Sequence, residues 1–153
     1  VGRDYDHLKG EFLNLIERYD IGHHVTICEA LSEEDLLKEM AEAAYFISAS
    51  EYEGFGLSSL EAMAGGRTAF LSQIPSFKKM VSDGKNGYLV DFEDMDSAAE
   101  KIKQVLRSGA HDSVRFAGVE TARQHSWGAI VDKFISMYEM VQNEETAPVS
   151  KVK

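Results

Sequence analysis

The sequence is poor in cysteine and in long apolar runs, and both absences limit where the protein can work. Its one cysteine, Cys28, excludes an internal disulfide and favours a reducing compartment. No stretch approaches the roughly 18 consecutive apolar residues typical of a membrane-spanning helix. Residues 1–4 resemble neither a signal peptide nor a natural start. We expect a cytoplasmic location, with membrane association through another part of the protein left open.

Basic residues are also scarce. The 16 lysines and arginines stand against 26 acidic residues, which gives a net charge of −10. Such a balance disfavours binding to a nucleic acid backbone or an anionic membrane by bulk electrostatics, so nucleic acid is not an expected partner. Any phosphate binding must depend on local groups. What the sequence does have is 44% hydrophobic residues in 153, enough for the core of one domain.

Strand-like and helix-like segments alternate along the chain. Apolar or β-branched runs predict strands at 24–30, 44–50, 67–72 and 86–92, and Val1 with Gly2 looks like the stump of another. Helical spacing predicts helices at 5–20, 31–43, 57–66, 75–84, 95–107, 111–126 and 127–142, with Ser32, Asp94 and Ser126 as N-caps. The alternation predicts an α/β fold with a Rossmann-like parallel sheet over residues 1–142, and residues 143–153 read as a flexible tail.

The segment SEYEGFGLSSLEAMAGG, residues 50–66, joins a predicted strand to a predicted helix. Gly54 and Gly56 lack Cβ atoms, so a ligand can approach the backbone there. The helix begins near Leu57 or Ser58, where unpaired amides and partial positive charge suit a phosphate without any lysine. The segment follows the carboxyl end of a strand, which is where doubly wound sheets bind ligands.

Two carboxylates, Glu53 and Glu61, lie on either side of that helix start. Carboxylates do not bind phosphate, but they accept hydrogen bonds from the hydroxyls of a sugar or a ribose. The segment therefore suits a nucleotide joined to a sugar. Simpler interpretations exist: Glu61 could close a capping box with Ser58, Glu53 could be a solvated loop acid, and Phe55 could belong to the core. From the residues alone, this is a suspected anion site.

Other candidate residues favour structural roles. The tandem pair His23 and His24 lacks the spacing of metal ligands, and no metal site is expected. Cys28 is interpreted as a small buried residue of a strand. His125 precedes a helix cap and is expected to be structural, and Lys78 with Lys79 reads as a solvated face.

The segment at residues 53–66 resembles the E-x7-E motif of the group 1 retaining, nucleotide-sugar-dependent glycosyltransferases, a large family with the GT-B fold. Four flanking segments resemble segments of that family in the same order. They are VGRDYD, HVTICEALSEEDLLKEMAEAAYFISAS, DGKNGYLVDFEDMDSAAEKI and HSWGAIVDKFISMYE. The resemblance covers the chain up to about Glu139. Two departures stand out: no proline follows the motif helix, at Gly66–Arg67–Thr68, and Lys79 occupies a position where the family often has glutamate.

The resemblance implies a role for each matching residue. Glu53 would be the catalytic-site carboxylate that contacts the donor sugar, and Glu61 would hold the ribose. The sugar and diphosphate would be bound by Gly54, Phe55, Gly56, Leu57 and Ser58. The base would lie against Cys28 to Leu31 through main-chain contacts. No cofactor or metal is implied, since the ligand is the substrate itself, a UDP- or GDP-linked sugar.

The resemblance also implies that the chain is the carboxy-terminal, donor-binding half of a GT-B enzyme, lacking its first βα unit. That family's arginine–lysine pair and its acceptor-binding domain would precede Val1. Residues such as Arg67 would then be left to oppose the acidic charge near the site. The full protein is expected to be a hexosyltransferase acting on an acceptor hydroxyl, and residues 1–153 alone are expected to be inactive. The alternative is a non-catalytic α/β module that binds a nucleotide or phospho-ligand.

Overall fold

The computed structural model describes residues 8–109 and 111–145, which belong to two units, Val1–Glu42 and Ala43–Lys153. In the first unit, helices α1 (Lys9–Arg18) and α2 (Glu33–Glu42) are joined through a 3-10 turn at Gly22–His24. The predicted cap of α2 is confirmed, because Ser32 Oγ accepts the amide of Asp35 at 3.1 Å.

The strand predicted at residues 24–30 is wrong for the described part of the chain. Residues 25–28 have no regular secondary structure, and Glu29 alone forms an isolated bridge. A β-branched run favours a strand, but a strand persists only with a neighbour that completes its hydrogen-bond ladder. Cys28, expected to be buried in that strand, is half-buried in an irregular segment. The stump predicted at Val1 and Gly2 lies outside the described residues.

The second unit contains a parallel sheet in the order β1-β2-β3, formed by Tyr45–Ser48, Thr68–Ser72 and Tyr88–Val90. The described residues therefore hold three strands, fewer than the four that the sequence predicts. In the register of the sheet, Tyr45 lies beside Thr68, and Phe70 lies beside Tyr88. This arrangement confirms the predicted α/β fold with a parallel sheet.

Five helices accompany this sheet: α3 (Leu57–Ala64), α4 (Pro75–Met80), α5 (Met95–Ser108), α6 (His111–Gln124) and α7 (Trp127–Glu145). The predicted caps of α5 and α7 are confirmed. Asp94 accepts the Ser97 amide at 3.0 Å, and this bond holds the pKa of the Asp94 carboxyl below its usual range. Ser126 accepts the amide of Ala129 at 3.3 Å.

Within residues 8–109 and 111–145, no helix is long and apolar enough to cross a membrane. Residues 146–153 of the predicted tail lie outside the described part.

Helices cover the sheet on both faces, so every residue of β2 is buried. On one face, Ala69 and Leu71 pack with residues of α3 and α4, namely Leu60, Met63, Phe77 and Met80. On the other, Phe70 packs with residues of β3, α5 and α6, namely Tyr88, Val90, Ala98, Val105 and Val114. Strand β1 is less buried than β2, because Ile47 is 54% exposed. Among the described strands, β1 pairs with β2 alone.

Asn86 ties the loop after α4 to helix α6. Its Oδ1 accepts the amide of Ser82 at 2.8 Å, while its Nδ2 donates to the carbonyl of Met80 at 3.1 Å and to Thr121 Oγ1 at 2.8 Å. Helix α6 approaches the same loop closely, because a Cβ on Gly118 would lie 3.1 Å from the Asn86 carbonyl oxygen. The Asn86 side chain therefore links α6 to the loop.

We expect Asn86→Ala to lower the free energy of unfolding by about 1–3 kcal/mol, because the Ser82 amide and the Met80 carbonyl lose their side-chain partner. Lys85→Ala, at an exposed neighbouring position, should change it by less than about 0.5 kcal/mol. Urea denaturation of both variants provides the measurement. Equal stabilities for the two variants would contradict the structural role of Asn86.

Candidate functional site

A cleft of about 340 Å³ lies among three segments of the second unit. The loop after β1 contributes Glu53, Gly54 and Phe55, and His125 comes from the junction of α6 and α7. Helix α4, which follows the carboxyl end of β2, contributes Pro75, Ser76, Lys79 and Met80. The cleft therefore lies at the edge of the sheet that the topology predicts for a ligand site.

Serine hydroxyls orient Glu53. Ser50 Oγ donates to Glu53 Oε1 at 3.0 Å, and Ser48 Oγ lies 3.0 Å from Ser50 Oγ. Since the single proton of Ser50 goes to Glu53, Ser48 is the donor in the second bond. Ser72, at the end of β2, donates to the backbone carbonyl of Ser50. The ends of two strands thus hold one oxygen of Glu53, and Oε2 is left for a ligand.

Gly54 and Gly56 have different structural roles. Gly56 is buried with φ of 83°, and a Cβ there would lie 2.5 Å from Cε1 of the buried Phe77. This position therefore requires glycine for the fold itself. A Cβ on Gly54 would meet no atom within 4 Å, so the space beside it is open.

Helix α3 begins with unpaired amides. Gly56 is its N-cap and supplies no side chain, while its carbonyl accepts the amides of Ser59 and Leu60 at 3.1 and 3.2 Å. The amides of Leu57 and Ser58 precede these bonds and have no acceptor within the helix. Both residues are exposed, so the start of the helix is accessible.

Glu61 lies one turn further along the exposed face of α3. The capping-box interpretation is wrong, because Ser58 is the second residue of the helix and Gly56 is its N-cap. Within the described residues, the Glu61 carboxylate has no hydrogen bond or ion pair. It is therefore available to a ligand.

Phe55 and His125 form one wall of the cleft. Phe55 is 46% exposed, so it is not the core residue that one interpretation expected, and its ring centroid lies 5.7 Å from that of His125. His125 Nδ1 donates to the carbonyl of Thr121 at 2.8 Å, because a carbonyl can only accept. His125 has the structural bond that the sequence analysis expected, and it also lines the cleft. No local spacing indicates this second role, since the two rings are seventy residues apart in sequence.

Two basic residues near the motif lie in different places. Lys79 is exposed, as its interpretation as part of a solvated face predicts, and it also lines the cleft. Arg67 precedes β2 and donates to the carbonyls of Gly65 and Ala43, which precede β2 and β1. It therefore lies at the amino edge of the sheet and cannot oppose acidic charge at the cleft. The sequence analysis expected Arg67 near the site because it follows the motif helix in sequence.

The residues predicted to bind the base belong to the first unit. Cys28 and Leu31 are both half-buried there, and Ala30 between them has a φ of 49°, which is uncommon outside glycine. The other seven predicted site residues all lie in the second unit. In the described ranges, no group of three or more His, Cys, Asp or Glu side chains could hold a metal ion.

The chain belongs to the group 1 glycosyltransferase family, whose model matches residues 4–125. It is 27% identical over 140 residues to a GDP-mannose:cellobiosyl-diphosphopolyprenol alpha-mannosyltransferase of Xanthomonas oryzae, covering 90% of this chain and 37% of that protein. It is 34% identical over 110 residues to the O-antigen chain mannosyltransferase B of Escherichia coli, covering 71% of this chain and 28% of that protein. The chain thus spans about a third of the length of these relatives.

Solved structures share the fold. Sucrose-phosphate synthase from Thermosynechococcus elongatus matches with a TM-score of 0.77 and 25% identity, over 94% of this chain and 37% of that one. HepE of Anabaena, solved with UDP and glucose, matches with a TM-score of 0.77 and 18% identity, over 92% of this chain and 39% of that one. These matches confirm the Rossmann-like α/β architecture of GT-B glycosyltransferases.

We expect Gly56→Ala to lower the free energy of unfolding by roughly 2–5 kcal/mol, because strain at positive φ and overpacking against Phe77 add together. Gly54→Ala should change stability by less than about 0.5 kcal/mol, since open space surrounds that position. Chemical denaturation of both variants checks this difference. A tolerated alanine at residue 56 would show that the turn does not need its left-handed conformation.

Proposed function

We propose that this chain binds the nucleotide-sugar donor of a retaining glycosyltransferase. One observation carries the proposal: Glu53 is held by Ser50 in a cleft, and the open start of α3 with the unpaired Glu61 follows directly. A nucleotide sugar offers hydroxyls, then phosphates, then ribose hydroxyls, which is the order of partners along residues 53–61. Membership of the group 1 family supports the same ligand class.

Each part of the donor has a partner of suitable chemistry. The sugar hydroxyls donate to the free oxygen of Glu53, with Gly54 leaving room for the ring. The diphosphate accepts from the amides of Leu57 and Ser58, where the helix dipole adds to the attraction. The ribose hydroxyls donate to Glu61, and hydrogen bonds to a charged group are worth about 1.5–3 kcal/mol each.

The proposed reaction transfers the sugar from a UDP- or GDP-linked donor to an acceptor hydroxyl with retention at the anomeric carbon. The bond between the anomeric carbon and the phosphate oxygen breaks, and a bond forms between that carbon and the acceptor oxygen. The nucleoside diphosphate and the proton of the acceptor hydroxyl are released. Negative charge that develops on the leaving phosphate is stabilised at the start of α3. The proposed step uses no metal or cofactor. The name of the Xanthomonas oryzae relative specifies GDP-mannose, which supports a hexosyl donor.

Other parts of the proposed enzyme lie outside the second unit. The acceptor is bound mostly by residues that this chain does not contain, because the chain spans only 37% of the Xanthomonas oryzae relative. The base contacts the main chain near Cys28 and Leu31. The strained backbone at Ala30 supports a binding role for that segment, since such strain is concentrated at functional sites.

Replacing the two carboxylates in turn should separate their roles in the full-length protein. We expect Glu61→Gln to weaken nucleoside diphosphate binding by about 1.5–3 kcal/mol, because the charged acceptor for the ribose is lost. Glu53→Gln should leave that affinity nearly unchanged and strongly reduce turnover, because its partner is the sugar. Calorimetry with UDP and GDP, together with initial rates, provides the measurements.

Glu51→Gln is the matched control, because Glu51 is exposed in the same loop and does not line the cleft. It should change neither affinity nor rate. If both Glu53→Gln and Glu61→Gln lose only nucleotide affinity, the proposed division between sugar and ribose fails.

A further inference from the structure

His125 lines the cleft together with Glu53, and the donor-binding account gives it no ligand. That account uses residues 53–61 for the sugar, the diphosphate and the ribose, and all of them belong to one segment of the chain. We propose that Nε2 of His125 accepts a hydrogen bond from a hydroxyl of the donor sugar, which makes His125 a specificity-determining residue. This inference rests on the proposed function, because the sugar is the one that Glu53 holds.

The hydrogen bond between His125 and Thr121 determines what the ring offers to a ligand. Nδ1 donates to the Thr121 carbonyl at 2.8 Å, and a neutral imidazole has only one N–H group. Nε2 therefore carries a lone pair and can only accept. Within the described residues, this nitrogen has no hydrogen-bond partner. The neutral ring thus offers one vacant acceptor, which a hydroxyl can fill and a phosphate oxygen cannot.

The His125 ring is held in place by two contacts. Its Nδ1 is bound to the backbone of α6, and the Phe55 ring packs against it with 5.7 Å between the ring centroids. The two nitrogens lie on opposite sides of Cε1, so the edge that carries Nε2 is turned away from the Thr121 carbonyl. An acceptor that is already oriented loses little conformational freedom when a ligand binds, and this favours binding.

Glu53 and His125 provide two acceptors from separate segments of the chain. One Glu53 oxygen accepts from Ser50 and the other is free. The cleft of about 340 Å³ is near the lower end of the roughly 300–1,000 Å³ found for small-molecule sites, so both acceptors contact one sugar-sized group. A site that bonds a particular hydroxyl rejects a sugar without it, because the polar group of the site is left unpaired. Two acceptors therefore discriminate between hexoses better than Glu53 alone.

The test uses the full-length protein and donors that lack single hydroxyls. It starts from whichever of UDP and GDP the protein binds. Calorimetry then measures UDP-glucose or GDP-mannose and its four analogues without the hydroxyl at carbon 2, 3, 4 or 6 of the sugar. We expect one analogue to bind the wild type about three- to tenfold more weakly, and to lose this penalty in His125→Asn, since one hydrogen bond has an effect of that size. Penalties for other hydroxyls should persist.

Two amide substitutions separate the ligand contact of His125 from its structural bond. Asparagine places its amide near the position of Nδ1, so His125→Asn keeps a donor for the Thr121 carbonyl and loses the acceptor in the cleft. Glutamine places its amide near the position of Nε2, so His125→Gln does the reverse. We expect His125→Asn to lose the discrimination and His125→Gln to retain most of it. In thermal unfolding, His125→Gln should be the less stable of the two.

Gln124→Asn is the matched control, because Gln124 precedes His125, is exposed and does not line the cleft. It should bind all five nucleotide sugars as the wild type does. The affinity for the free nucleoside diphosphate should be the same in all four proteins, because Nε2 contacts the sugar alone.

The results that would overturn the inference are distinct from those that overturn the proposed function. If the nucleoside diphosphate binds but no penalty disappears in His125→Asn, His125 does not bind the sugar and the proposed function stands. The same conclusion follows if discrimination is lost in His125→Gln and kept in His125→Asn, because discrimination then follows the structural bond. If neither UDP nor GDP binds, the proposed function fails and this inference fails with it.

Discussion

The close contact between Gly56 and Phe77 is the constraint on which the cleft depends. Gly56 turns the chain from the loop after β1 into α3, and only a residue without Cβ fits over the Phe77 ring. Phe77 belongs to α4 and is fully buried in the core beside the sheet. The contact therefore fixes the start of α3 against α4, and the loop that carries Glu53 leads into α3 and lines the cleft together with α4. Loss of this packing would change the loop, the helix start and the α4 side chains together.

A second constraint comes from the far end of the chain. Asn86 bonds to Thr121, and the carbonyl of Thr121 holds the ring of His125 against Phe55. The loop after α4 and the end of α6 are thus linked to the cleft through Asn86, Thr121 and His125, with a hydrogen bond of 2.8 Å at each of the two steps. A ligand site made from segments so distant in sequence needs such cross-links, because each loop alone has too few contacts to keep its conformation.

Local signals predicted the helices correctly, including the start of α3 at Leu57, because caps and helical spacing act over a few residues. Ser32, Asp94 and Ser126 cap the helices as expected. Two predictions that depended on particular tertiary contacts failed. The β-branched run at 24–30 forms no ladder in the described residues, and Arg67 faces the opposite edge of the sheet. His125 and Lys79 reach the cleft only through the packing of α4 and α6, which no spacing in the sequence reveals.

The central claim is that the Glu61 carboxylate binds the ribose hydroxyls of the donor. The most direct test of this claim is a thermodynamic cycle with a 2′-deoxyribonucleoside diphosphate. In wild-type full-length protein, removing the 2′-hydroxyl should weaken binding by about 1.5–3 kcal/mol. In Glu61→Gln, the same removal should have little further effect, because the two changes delete one interaction. Additive losses, or equal affinity of the wild type for the ribo- and deoxyribonucleotides, would contradict the account.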